Sequence, residues 1–152
     1  MTRQAVVRGA NGIVFYSWFD ILRNDDMSFT EQWGHLCDVA TELDKFAPVL
    51  LSDAGAAPAA AVSKKGGGSA PWLRTRARFG DERGDYYYLF AANDGDGSGE
   101  VVFSLGDSVK ISGNVEVVSE SPTRTITPAD DRSFNDHSKA LDVVIYRLAT
   151  KK

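Results

Sequence analysis

The stretch Tyr86-Tyr-Tyr-Leu-Phe-Ala-Ala92 decides the fold, because it is rich in aromatic residues and stands between Asp85 and Asn93. Further short runs with β-branched or aromatic residues accompany it, each bounded by Gly, Asp, Asn, Ser or Pro: 72–79, 100–105, 109–111, 115–119, 123–127 and 141–148. Short strands at even spacing, separated by turn residues, are typical of antiparallel sandwiches and barrels. We therefore predict an antiparallel β-sandwich over residues 72–152.

The first part of the chain follows a different pattern. Thr2 is suited to cap a short helix, and Gly9 is suited to end it, because a helix stop favours a residue that tolerates positive φ. Residues 12–19, GIVFYSWF, are almost continuously apolar or aromatic. A strand this apolar is usually covered on both faces, as in a parallel sheet wrapped by helices.

A long amphipathic helix is predicted next. Ser28 and Glu31 form an S-x-x-E capping box, and Pro48 is expected to mark the helix end. Apolar residues recur between them at spacings of three and four, which draws one wide stripe along the helix: Phe29, Trp33, Leu36, Ala40, Leu43 and Ala47. Cys37, within this helix, is expected to be a small buried core residue. Helix, apolar strand and helix over residues 1–52 indicate one unit of a βα array.

Residues 53–71 separate the two parts. The segment is rich in small residues and contains Lys64-Lys65 followed by three glycines. This composition is typical of a linker. The alternative is an edge strand over 58–64 followed by a flexible turn. In either case the fold class is α+β.

Four segments together resemble the C-terminal end of bacterial glycoside hydrolases that have a (β/α)8 barrel and an appended β-sandwich. They are GANGIVFYSWFD from Gly9, the W-x-x-L-x-x-V-x-x-E-L-x-x-F-A-P-V-L-L-S pattern from Trp33, YYYLFAAND from Tyr86, and SFNDHSKALDVVIYRL from Ser133. The resemblance implies that 1–52 is a helix-strand-helix remnant of the barrel, holding the last barrel strand and helix. It also implies that 72–152 is the accessory sandwich domain.

The resemblance places a sugar-contacting residue at the end of the eighth barrel strand. Trp18 matches that position, and Tyr16 lies on the same side of the strand. An indole offers a flat apolar face to a pyranose, and ligands of barrel enzymes meet the carboxyl ends of the strands. Core packing is the alternative for both residues. We expect carbohydrate to be the ligand of the intact parent, with Trp18 and Tyr16 as substrate-binding residues.

Hydrolysis of a glycosidic bond requires two carboxyl groups across the scissile bond. In enzymes of this type these groups come from earlier barrel strands, which have no counterpart in this sequence. We therefore expect a catalytically silent fragment, without catalytic residues, whose sandwich is a structural accessory domain. The alternative is a free-standing carbohydrate-binding or protein-interaction module.

Two polar segments contain residues that could serve a metal site or acid–base chemistry. Asp94, Asp96 and Ser98 imitate the start of an EF-hand calcium loop, but the twelfth position holds Leu105 in place of the bidentate Glu. We interpret this segment as a hairpin turn and expect neither a metal nor another cofactor. His137, close to acidic residues, is interpreted as a residue of a polar turn rather than an acid or base.

The aromatic residues Trp72, Tyr86 and Tyr88 have two interpretations. They are suited to pave a carbohydrate-binding face, since Tyr86 and Tyr88 alternate onto one side of their strand. Sandwich interiors require the same alternation, and we therefore favour a core position.

The composition limits the partners. A formal net charge of −4 with dispersed Lys and Arg argues against nucleic acid. No run approaches the ~20 apolar residues of a membrane span, and no signal peptide is recognisable, so we expect the chain to be soluble. The sequence leaves open whether the parent protein is secreted or periplasmic. Without barrel neighbours, the strand 12–19 would have unpaired backbone groups and uncovered apolar faces, which soluble chains avoid. We expect it to join a sheet of the sandwich or to pair two chains in a homodimer through this strand and the adjoining helix.

Overall fold

The computed structural model describes residues 2–10, 24–25, 28–51, 57–80 and 85–151. These ranges form two helices and eight strands. The helices are α1 (Thr2–Val7) and α2 (Glu31–Leu50). The strands are β1 (Ala61–Lys64), β2 (Leu73–Phe79), β3 (Tyr86–Asn93), β4 (Gly99–Ser104), β5 (Lys110–Val117), β6 (Arg124–Ile126), β7 (Ser133–Ser138) and β8 (Val143–Lys151).

The strands form two antiparallel sheets. The larger has five strands in the order β2-β3-β8-β5-β6, and the smaller has three in the order β1-β4-β7. The two sheets enclose a core to which both contribute, as in a β-sandwich. The chain is therefore α+β with a sandwich-like arrangement, as the strand pattern predicted.

The core between the sheets is centred on large side chains that alternate inward. Tyr87 and Leu89 enter it from β3, Phe103 from β4, Phe134 from β7 and Tyr146 from β8. The rings of Phe103, Phe134 and Tyr146 contact one another, with centroids 4.8, 5.0 and 5.2 Å apart. Burial of each such side chain stabilises the fold by about 1.5–3 kcal/mol, so this cluster holds the sheets together.

A second apolar cluster lies on the outer face of the five-stranded sheet. Phe46 and Val49 of α2, with Val7 of α1, pack there on Phe90 and Ile145. The Phe46 and Phe90 rings meet edge to face with centroids 6.2 Å apart. The molecule therefore has a layer of helices, a five-stranded sheet and a three-stranded sheet.

The long helix differs from its prediction at both ends. Thr30 is the N-cap residue, so the spacing of a capping box between Ser28 and Glu31 is lost. The Ser28 hydroxyl instead accepts a hydrogen bond from Asn24 Nδ2 at 2.8 Å. At the other end the helix continues through Pro48 and stops after Leu50. A proline in the last turn forfeits one backbone hydrogen bond, and here the helix continues past it.

The face of α2 that packs on the sandwich coincides with the predicted apolar stripe only in part. Phe46 and Val49 are buried, whereas Phe29 is 60% exposed and Ala40 is also exposed. Cys37 is exposed too, so its predicted burial was wrong. The other four residues of the stripe are half-buried: Trp33, Leu36, Leu43 and Ala47. The stripe therefore overlaps the packing face, but the two most buried residues of the helix lie outside it.

Three differences concern the strands. Residues 61–64 form β1, which corresponds to the edge-strand alternative rather than the linker. Two predicted strands are one strand, β5, whose pairing with β8 shifts register between Ile111 and Val115. Gly113 has φ +94° there, which suits a bulge. β7 was not predicted as a strand, because its sequence SFNDHS is mostly polar.

The predicted strand over 12–19 lies outside the described residues, so the helix-strand-helix unit predicted for 1–52 stays a prediction. In the part of the chain that is described, neither helix is long and apolar enough to cross a membrane.

Candidate functional site

The predicted sugar-contacting residues, Trp18 and Tyr16, lie outside the described residues. Their expected role therefore stays a prediction. The described residues offer a different candidate on the outer face of the five-stranded sheet, beside the cluster that joins the helices to it.

The alternation of β3 produces this face. Tyr87 and Leu89 are buried between the sheets, and Tyr86 and Tyr88 therefore project to the opposite side. Tyr86 is 44% exposed and Tyr88 is half-buried. The favoured core interpretation of Tyr86 and Tyr88 was wrong, because the core takes Tyr87 between them.

A row of polar side chains crosses this face. Arg147 on β8 is the register partner of Tyr88 on β3 and of Glu116 on β5. Its Nε donates to Glu116 Oε2 at 2.7 Å, and its guanidinium lies 5.6 Å from the centre of the Tyr86 ring. Burial alone would lower the pKa of Arg147, but hydrogen bonds with Glu116 and Tyr88 outweigh it and raise the pKa. Arg147 is therefore a fixed cation at the centre of the row.

Tyr88 is held in place by a close backbone contact. A Cβ atom on Gly80 would come within 2.6 Å of Tyr88 Cε2, so the ring packs directly on the Gly80 backbone. A residue with a side chain at this position would displace the ring. Gly80 thus helps to define where Tyr88 lies on the sheet face.

The row forms one side of a groove, and α2 forms the other. The groove has a volume of about 380 Å³ and lies between the C-terminal half of α2 and strands β3, β5 and β8. Lys45 Nζ donates to the Val118 carbonyl at 3.1 Å and lies 5.2 Å from the centre of the Phe46 ring. The lining combines apolar and charged groups: Lys45, Phe46, Val49, Tyr88, Glu116, Val118, Thr123 and Arg147. We call it the outer groove.

A small apolar cavity lies next to it, between the two helices and the sheet. Its volume is about 20 Å³, and Val6, Phe46, Leu50, Phe90 and Ile145 are among the side chains that line it. This is room for about one water molecule, and an apolar lining does not hold one. The cavity is a minor packing gap rather than a ligand site.

The buried carboxylate among the described residues, Asp136, belongs to a structural network. It accepts hydrogen bonds from Arg124 Nη1 and Nη2 and from the Tyr146 hydroxyl, each at 2.9 Å, and from the His137 backbone at 2.8 Å. Burial would raise its pKa, but these hydrogen bonds and the Arg124 charge hold the pKa below the usual value. A carboxylate so fully engaged is not poised to exchange a proton.

His137 does not lie in a turn, as predicted, but on β7, where alternation turns it outward from Asp136. Its Nδ1 lies 3.5 Å from Glu100 Oε1 at the surface. Asp130 accepts hydrogen bonds from the Arg132 backbone and the Ser133 hydroxyl, which fixes a turn. The structure therefore does not assemble these residues into an acid–base cluster.

The segment 94–98 is not the predicted hairpin turn, because it connects β3 of the five-stranded sheet to β4 of the three-stranded sheet. Hydrogen bonds of the Asn93 side chain hold this loop in place. The Asn93 amide donates to the carbonyls of Gly97 and Lys139 at 2.6 and 2.8 Å, and its Oδ1 accepts from the Gly95 backbone at 3.1 Å. Asp94 forms an ion pair with Arg8 of the preceding helical segment. Within the described ranges, no three His, Cys, Asp or Glu side chains are grouped to hold a metal.

Trp72 lies under this loop. A Cβ atom on Gly97 would come within 2.7 Å of Trp72 Cδ1, and one on Gly95 within 3.1 Å of Trp72 Cβ. The ring therefore packs against the loop backbone, and it is not part of the face that carries Tyr86 and Tyr88. Trp72 is partly buried and packs against the core between the sheets, as its favoured interpretation predicts, whereas Tyr86 and Tyr88 share the outer face.

Comparison with known proteins assigns no family. No protein-family model matches the chain, and a search of curated protein sequences returns no significant relative.

The residues that sequence reasoning missed are Lys45, Glu116 and Arg147 of the outer groove. Glu116 and Arg147 lie at alternate positions of strands whose neighbours are apolar, which is a signal for an outward face. Their pairing depends on β5 and β8 being adjacent. The local sequence pattern does not specify the order of strands in the sheet, so it could not predict that these residues come together in a groove.

Proposed function

We propose that this chain is the non-catalytic C-terminal part of a glycoside hydrolase, in which the β-sandwich is a structural accessory domain. The observation that carries the proposal is the joint between α2 and the five-stranded sheet. Phe46 and Val49 are buried against Phe90 and Ile145. An accessory domain that packs on a barrel needs such a contact with the last barrel helix, and α2 is the helix that resembles it.

The arrangement of acidic residues supports a silent chain. The carboxylates that glycosidases use flank a sugar in a cleft. In the described ranges, the buried carboxylate Asp136 binds Arg124, Tyr146 and its own strand, and Glu116 is paired with Arg147. Neither is arranged as an acid or nucleophile opposite a second carboxylate.

The remaining parts of the proposal concern the parent enzyme. There the ligand is a carbohydrate, and Trp18 with Tyr16 contacts the sugar. We also propose that two chains pair through the strand 12–19 and the helix that follows it. Phe29, which precedes α2, is 60% exposed and stacks on Trp33 with ring centroids 5.8 Å apart, so these two rings present apolar surface that such a pairing would cover. Light scattering would reveal the dimer, and a strict monomer at all concentrations would refute the pairing.

A turnover assay tests the proposed function. The purified chain is incubated with a panel of chromogenic aryl glycosides, beside Asp136→Asn and Glu116→Gln variants. We expect no turnover above buffer from any of them. Turnover by the unmodified chain that is lost in either variant would refute a non-catalytic role, because contaminating enzymes would be present in all preparations alike.

The second candidate is a free-standing module that binds carbohydrate or protein through the sandwich. The outward position of Tyr86 and Tyr88 favours it. In that case the helices only cover part of the sheet. A helix–sheet joint that contributes little to the stability of the sandwich would favour this candidate over the first.

A further inference from the structure

We propose that the outer groove binds one or two rings of a neutral saccharide. The inference rests on the proposed function only for the choice of saccharides as a ligand class. The groove itself supplies the reasons, which are its size, its mixed lining and its balance of charges.

The size is suitable. A volume of about 380 Å³ lies at the lower end of the range for small-molecule sites, and one or two pyranose rings fill such a space. The groove is open to solvent. An open groove admits a ring that is part of a longer chain.

The apolar part of the lining suits the C–H face of a sugar ring. Val49 and Phe46 line the groove from α2, Val118 lines it beyond the end of β5, and Tyr88 lines it from β3. Aromatic and aliphatic groups pack on the faces of pyranoses, where the ring hydrogens lie. Because Gly80 and Arg147 hold Tyr88 in place, this contact is formed before a ligand arrives.

The polar part offers both donors and acceptors. Lys45 Nζ has three hydrogens and uses one for the Val118 carbonyl. The Arg147 guanidinium contacts Oε2 of Glu116 through Nε and Nη2, so among the described residues Oε1 is left to accept from a ligand. Thr123 adds a hydroxyl, which both donates and accepts.

The charges of the groove are mostly engaged, which favours a neutral ligand: Glu116 is paired with Arg147, and the remaining cation, Lys45, donates to the Val118 carbonyl. A carboxylate or phosphate that approaches Lys45 and Arg147 also meets Glu116, and a cation that approaches Glu116 meets both basic groups. A hydroxyl group accepts from the basic side chains and donates to Glu116, so a polyhydroxylated ring satisfies all of them together.

The test is calorimetric titration of the full chain with cellohexaose, xylohexaose and mannohexaose as neutral probes and trigalacturonate as an anionic probe. Two variants remove groove side chains, Lys45→Ala and Glu116→Ala. Their matched controls, Lys65→Ala and Glu100→Ala, remove an exposed Lys–Glu pair, with Nζ and Oε2 4.0 Å apart, at the smaller sheet. Circular dichroism confirms that every variant is folded.

We expect saturable binding of at least one neutral hexasaccharide. Each groove variant weakens it about fivefold or more, the effect of one lost hydrogen bond, and the controls leave it unchanged. The inference is overturned by no saturation with any neutral probe up to about 10 mM, by binding that groove variants do not weaken, or by preference for trigalacturonate. These results leave the proposed non-catalytic role standing, whereas turnover of a glycoside would refute that role without touching this inference.

Discussion

Arg124 and Asp136 join the two sheets through a bidentate ion pair, in which both guanidinium Nη atoms donate to the two carboxylate oxygens at 2.9 Å. Arg124 belongs to β6 of the larger sheet and Asp136 to β7 of the smaller. Tyr146 of β8 donates to the same carboxylate, and Glu120 accepts a further hydrogen bond from Arg124. The network closes the sandwich on the side where β6 and β7 meet.

Replacement of Asp136 by Asn tests this network. We expect Asp136→Asn to lower the free energy of unfolding by about 2 kcal/mol, because a charged partner of Arg124 is lost inside the fold. Arg124 is partly exposed, so water compensates part of the loss. Urea denaturation measures the change.

The matched control for this variant is Asp107→Asn. Asp107 pairs with Arg132 but its side chain is 97% exposed, and we expect a change within about 0.5 kcal/mol. Equal effects of the two substitutions would show that the buried network is no stronger than a surface pair.

The same carboxylate predicts an acid-sensitive stability. The folded pKa of Asp136 lies below its usual value of 3.8, so the folded state binds protons less readily than the unfolded chain. The contribution of Asp136 is therefore fully present above the unfolded pKa and is lost as the pH falls through the folded pKa. Between pH 6 and pH 2, the free energy of unfolding should fall less steeply for Asp136→Asn than for the unmodified chain. Parallel curves would contradict the assigned pKa shift.

Two glycine substitutions should change the free energy of unfolding in opposite directions. Gly97→Ala places a Cβ within 2.7 Å of Trp72, and we expect a loss of about 1–3 kcal/mol because the ring or loop must move. Gly34 lies in α2 with no atom within 4 Å of its added Cβ, so Gly34→Ala should stabilise by up to about 1 kcal/mol. Thermal unfolding compares them. Equal and small effects would show that the loop does not pack on Trp72 as described.

The sequence predicted the positions of most strands, but it did not predict the order of the strands in the sheets or the way the helix packs on them. Alternation with turn residues located seven of the eight strands at least in part, including β1 as the weaker of two alternatives. β7 was not predicted because Phe134 is the one apolar residue on its inward face; the other inward residues, Asp136 and Ser138, are polar. Their burial depends on Arg124 and Asn93, which are remote in sequence.

The helices show the same limit. The period of α2 predicted its existence but not the face that it buries, because the helix carries apolar residues around much of its circumference. Which residues pack is decided by the sheet, through Phe90 and Ile145. The outer groove depends likewise on the adjacency of β3, β8 and β5, which local patterns do not specify.

The joint between α2 and the sandwich is the central claim, and a double-mutant cycle on Phe46 and Phe90 tests it most directly. The measurement is the free energy of unfolding of Phe46→Ala, Phe90→Ala and the double variant, with Leu51→Ala, at the exposed C-cap of α2, as the control for loss of an apolar side chain. We predict that each single core substitution lowers the free energy of unfolding by about 3 kcal/mol. The coupling energy between the two substitutions should be about 1 kcal/mol, and the control should change the free energy of unfolding by no more than about 0.5 kcal/mol. Additive effects of Phe46→Ala and Phe90→Ala, or a Phe46→Ala effect as small as that of Leu51→Ala, would contradict a sandwich anchored to this helix.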